Sequence, residues 1–147
     1  MEALAALAPF AAAGAEIVGA DIEGAPWPFE GRAFDAVVVT NYLWRPRLPD
    51  IVAALAPGGV LLYETFAAGN ASVGRPARPE FLLRPGELLA TCSGLHVVAY
   101  ENGFLGAPDR FVQRIAAVRP LEPDGDSHVP PRFALDPAQD RSRFPPM

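Results

Sequence analysis

The chain has 147 residues and a net charge of -5, with half its residues hydrophobic and a fifth charged. This is enough for one globular domain with a core, and it excludes a largely disordered chain. Lysine is absent and no arginine run is interleaved with aromatics, which argues against a nucleic-acid surface; a single cysteine, Cys92, excludes an intrachain disulfide, and no His/Cys cluster has zinc spacing.

The segment from Glu2 to Ala13 is Ala-rich, with Leu4, Leu7, Phe10 and Ala11 at helical spacing. It predicts a helix that Pro9 kinks or restarts and Gly14 ends. Glu16 to Ala20 is a short strand candidate leading into an Asp21–Gly24 loop. Prolines keep residues 25–29 extended, and Gly31 marks a turn. Phe34 to Thr40 then reads as a strand. Its run Ala36-Val37-Val38-Val39 does not alternate, so both faces are expected to be covered.

A helix over Leu48–Ala56 is expected, with Asp50 favourable in its first turn. Pro57-Gly58-Gly59 should stop it and turn the chain into a strand from Val60 to Phe66. Residues 67–84 form a long Gly-, Pro- and Arg-rich loop, a type that is often functional. A short helix starts at Pro85. Leu95–Glu101 and Arg110–Arg119 alternate and pair as an antiparallel hairpin unit across Asn102–Asp109. His96 lies in the first of these strands, where an exposed or sheet-edge histidine is the ordinary case. Beyond Pro120 the composition turns polar and Pro-rich. The division is therefore a domain over residues 1–119 and a disordered tail over 120–147. No apolar run spans a bilayer and no basic leader opens the chain, so a cytoplasmic protein without membrane contact is expected.

Each buried strand hands over to polar and aromatic residues at its carboxyl end, where open α/β sheets bind ligands. Ala20-Asp21-Ile22 before Pro28-Phe29, then Phe34-Asp35-Ala36-Val37-Val38-Val39, then Leu55-Ala56-Pro57-Gly58-Gly59-Val60-Leu61 resemble class I S-adenosylmethionine-dependent methyltransferases. The resemblance covers about Ala15 to Arg119. It implies a partial Rossmann-like α/β sheet, mostly parallel with an antiparallel last strand. It also implies S-adenosylmethionine as cofactor and methyl transfer to a small-molecule acceptor.

Carried over residue by residue, the resemblance places Asp21 and Ile22 against the adenine ring. A turn-capping role suits Asp21 equally well on residue type. Asn41 would hydrogen-bond cofactor or substrate. Tyr42, with Trp44, would cover the sulfonium; packing between helix and sheet is the alternative. Glu64 is the candidate general base or substrate anchor, unless it merely pairs with a loop arginine. Tyr63, Arg75 and Arg78 are candidates for substrate binding, the arginines for an anionic acceptor or simply for a solvated loop. The Thr40–Trp44 cluster differs from the Asn-Pro-Pro-Tyr type of amine-modifying relatives.

The 147 residues contain no acidic-x-Gly-x-Gly turn and no ribose-binding carboxylate after a second strand. Read against the resemblance, the chain starts in the helix after the second strand. The third strand is then expected to lack neighbours and the fourth to be exposed on one side. Either the start lies further upstream or the chain is a remnant, inactive in this form. The rival reading is a non-catalytic α/β module that self-associates through that exposed sheet edge.

Overall fold

The computed structural model describes residues 5–121 and 132–135. The first helix, α1, spans Ala8–Ala12 with Pro9 in its first turn, where the missing N–H is harmless. Pro9 therefore starts this helix. Its apolar residues find no core: Phe10 is 60% exposed, and no residue of α1 is buried.

The strand expected over Glu16–Ala20 does not form; those residues have no regular secondary structure and join no ladder. Backbone N–H and C=O groups make a strand only with a partner, and no described segment supplies one. The expectation that this segment would lack neighbours is the form in which the structure has it.

Strand β1 covers Phe34–Thr40, as expected. Helix α2 runs Leu48–Ala53, shorter than predicted, and buries Leu48 and Ile51. Strand β2 is Leu55–Phe66. Pro57-Gly58-Gly59 is thus a kink within a strand and not the boundary between helix and strand. Leu55 already pairs with Phe34, and the register then jumps so that Ala36 meets Val60. Gly58 takes φ +76 in the kink, a value that glycine adopts without a Cβ penalty.

Helix α3 spans Glu87–Thr91. Strands β3 (His96–Leu105) and β4 (Arg110–Val118) form the hairpin. β3 runs on past the predicted Glu101, because Asn102, Gly103, Phe104 and Leu105 still find partners on β4. His96 is exposed on β3, an edge strand, as expected.

The sheet order is β1-β2-β4-β3: β1 and β2 are parallel, and β4 inserts antiparallel between β2 and β3. The expected reversed last strand is present. One face carries the core, where Leu48 and Ile51 of α2 and Leu88 of α3 meet Leu55, Leu61, Tyr63, Ile115 and Ala117. Fully burying a leucine contributes about 1.5–3 kcal/mol, so Leu55, Leu61, Leu83 and Leu88 dominate this layer.

The opposite face departs from the expectation of full cover. Val38 is 65% exposed and Leu62 46%. The unbroken apolar run of β1 is accounted for on one side only, because α2 and α3 pack on the same layer. No helix longer than these is described, and none of the described helices is long and apolar enough to cross a membrane.

Candidate functional site

The chain leaves β1 at Thr40 through a sharp turn. Asn41 holds φ +53, a left-handed conformation that Asn tolerates better than most side chains. Its N–H donates to the Glu64 carbonyl at 3.0 Å, which keeps the ends of β1 and β2 together. From below, the Tyr63 hydroxyl donates to the Tyr42 carbonyl at 2.7 Å. Tyr63 is only 2% exposed, and burial pushes its phenol well above its ordinary pKa. It is a strut under the strand end and is not placed to meet a ligand.

Two arginines flank this turn and reach in different directions. The Arg45 Nε donates to Glu87 Oε1 at 2.6 Å and its Nη2 to Glu87 Oε2 at 3.0 Å; further bonds go to the Glu80 and Leu82 carbonyls. Burial alone would raise the Glu87 pKa. The Arg45 fork and the Arg84 N–H outweigh it and hold the carboxyl below its ordinary value. Arg47 turns the other way. Its Nε donates to the Ile22 carbonyl at 2.5 Å, its Nη2 to the Ala25 carbonyl, and its Nη1 to Asp50 Oδ2 at 2.9 Å. Its guanidinium also lies 5.9 Å from the Trp27 ring centre.

The segment so held is the Asp21 turn. Asp21 Oδ1 accepts the N–H groups of Glu23 (3.1 Å) and Gly24 (2.9 Å). These bonds, Gly24 first, favour the charged form and lower the carboxyl's pKa. The capping role considered for Asp21 is therefore real. It occupies one carboxylate oxygen; Oδ2 has no hydrogen bond among the described residues and remains an acceptor.

Ile22, Trp27, Phe29, Val39, Thr40, Tyr42 and Ile51 line an open trough of about 660 Å³ along the free edge of β1. The Tyr42 hydroxyl is sealed from solvent without a hydrogen-bond partner. Burial, then the charge of Glu23, raises its pKa, so it is a neutral donor. A trough of aromatic and aliphatic side chains, with Glu16 and Arg32 also on its wall, suits a flat heteroaromatic ring.

Of the predicted site residues, the structure brings Asp21, Ile22, Asn41 and Tyr42 to one end of the sheet. Glu64 is elsewhere. It lies on the open sheet face, 3.5 Å from Arg114, which also pairs with Glu101. Its partner is thus a β4 arginine and not one from the loop. Arg75 and Arg78 are exposed on the long loop, Arg78 at 3.8 Å from Glu80. That loop is anchored by buried Asn70, whose Nδ2 donates to the Pro76 carbonyl and whose Oδ1 accepts from the Phe111 N–H. Trp27 and Arg47 were not singled out from the sequence. No local signal marks Arg47, because its partners Ile22 and Ala25 lie 25 and 22 positions away. Among the described residues no group of acidic, His and Cys side chains is arranged to hold a metal ion.

The sequence matches no protein-family model and no curated protein. Solved structures do match the fold. N-methyltransferase NodS from Bradyrhizobium japonicum WM9 superposes with a TM-score of 0.50 at 19% identity, over 69% of this chain and 57% of that one. The [4+2]-cyclase SpnF superposes with a TM-score of 0.54 at 15% identity, over 82% of this chain and 61% of that one. The chain therefore spans less than two thirds of either structure. What the likeness shows is the α/β fold of class I methyltransferases, present in part.

Proposed function

We propose that this chain forms the adenine-side part of an S-adenosylmethionine site in a protein that transfers a methyl group to a small-molecule acceptor. The observation that carries the reading is the trough along the free edge of β1, lined by Ile22 of the Asp21 turn and by Tyr42 at the strand's carboxyl end. The likeness to NodS supports it, while SpnF, a cyclase by its name, marks that the fold alone does not fix the chemistry.

In this reading Ile22 and Tyr42 cover the ring faces, and Asp21 Oδ2 accepts from the exocyclic amine. Asn41, at the strand end, orients the rest of the ligand. When bound, S-adenosylmethionine supplies a sulfonium methyl open to in-line displacement, and the protein mainly contributes positioning. Glu64 serves as a base only for an acceptor that must lose a proton, and only after parting from Arg114. Arg75 and Arg78 would serve an anionic acceptor.

Asp21→Asn tests the reading. Asparagine keeps a carbonyl oxygen for the turn but replaces the free acceptor with a donor. The expected result is roughly tenfold weaker S-adenosylmethionine binding, about 1.4 kcal/mol, with an unchanged ligand-free thermal midpoint. Equal affinity in the variant would remove Asp21 from the site.

A second reading has its own observation. Among the described residues the outer edge of β1 has no strand beside it, and Val38 and Leu62 are exposed next to it. A non-catalytic module that associates through this edge would present this surface.

A further inference from the structure

We propose that Arg47 is the positioning residue of the cofactor site, holding the Asp21–Ala25 turn at the distance from Tyr42 that a bound ring requires. The inference rests on the proposed function and deepens it. The Asp21 turn belongs to a segment with no strand partner among the described residues, so sheet pairing there does not set its place. The hydrogen bonds of Asp21 lie within the turn and shape it without locating it. Location comes from Arg47, which leads directly into α2.

Its guanidinium spans the gap with bonds to the Ile22 and Ala25 carbonyls at the two ends of the turn, and Asp50 fixes the third corner of the fork. Three directed bonds from one planar group define both distance and orientation, which a lysine ammonium cannot reproduce. The side chain is 17% exposed, so these bonds are largely shielded from water. Trp27 packs near the same guanidinium and lines the trough, so one side chain ties the floor and the rim together. Both candidate ring contacts, Ile22 from the turn and Tyr42 from β1, then depend on one clamp for their separation.

The test compares the full chain with Arg47→Met and Arg47→Lys. Two quantities are measured on each: S-adenosylmethionine affinity by titration, and amide hydrogen exchange at Gly24, Ala25, Ile51 and Leu62. Arg47→Met is expected to bind at least tenfold more weakly and to exchange at least tenfold faster at Gly24 and Ala25. Exchange at Ile51 and Leu62 should be unchanged, which a general loss of stability would not allow. Arg47→Lys should fall between, near threefold in affinity, and carries the test if the methionine variant does not fold. Wild-type binding matched by either folded variant would overturn the role of Arg47 and leave the proposed function standing. A wild-type chain that binds nothing at millimolar ligand would overturn both, whatever the exchange rates show.

Discussion

Cys92 is the only thiol of the chain, fully buried at the C-terminal end of α3, and desolvation pushes its pKa up to about 11. The thiolate is the reactive form, so this cysteine should be inert in the folded protein. Ellman's reagent at pH 8 is expected to find no thiol in buffer and one in denaturant. Rapid reaction in buffer would mean that α3 opens readily. At Asp21, by contrast, the turn occupies Oδ1 alone, which leaves Oδ2 for the adenine contact proposed above. Residue type alone does not show that one oxygen of Asp21 would accept from both Glu23 and Gly24.

Among the elements, α3 is tied to the turn after β1 by the bidentate Arg45–Glu87 pair, with side chains only 28% and 14% exposed. Glu87→Gln leaves the Arg45 fork half satisfied and should cost about 1–3 kcal/mol, read as a lower denaturation midpoint. The pH dependence follows from the lowered folded pKa of Glu87. Its contribution is complete above the unfolded value of about 4.5 and is lost as pH falls through the lower folded value. The stability difference between wild type and Glu87→Gln should therefore shrink on acidification below pH 4.5. A difference that grows there would contradict the assignment.

The kink in β2 makes a second forecast. A Cβ on Gly59 would sit 2.8 Å from both the Ala56 and Phe34 carbonyl oxygens, which are backbone and cannot step aside. Gly59→Ala should cost roughly 1–3 kcal/mol and disturb the Phe34–Leu55 pairing. β1, most of β2 and the hairpin were legible from apolar runs and alternation, because those patterns report burial directly. The kink was misread as a helix stop. Pro-Gly-Gly signals a change of direction, but only the pairing of Leu55 with Phe34 reveals that the strand has already begun. The strand expected at Glu16–Ala20 failed for the complementary reason: its pattern was adequate, and a partner is not a property of a local sequence.

For the molecule as a whole, the four-stranded sheet is packed on one side and open on the other. The unalternating run of β1 announced two covered faces, and only one is covered among the described residues. The tail expected to be disordered falls largely outside those residues. Its described residues, 120–121 and 132–135, include Phe133 with its ring 5.0 Å from that of His96. The exposed Val38 and Leu62 predict concentration-dependent self-association, visible by sedimentation velocity. Val38→Arg, on an exposed position, should reduce it while changing stability little. A monomer at all concentrations would remove the associating-module reading.

The trough beside β1 is where the proposed cofactor would be seen. The 147 residues lack the Gly-rich turn and the ribose carboxylate, so several hydrogen bonds worth roughly 1.5–3 kcal/mol each are unavailable, and binding should be weaker than low-micromolar. The decisive measurement is a titration of the isotope-labelled chain with S-adenosylmethionine, followed by amide chemical shifts. Shifts confined to residues 21–25, 27 and 41–44, saturating in the high-micromolar to millimolar range (about -4 to -5.5 kcal/mol), are the predicted result. Shifts centred on β3 or on the Glu64–Arg114 face, or none at millimolar ligand, would contradict it.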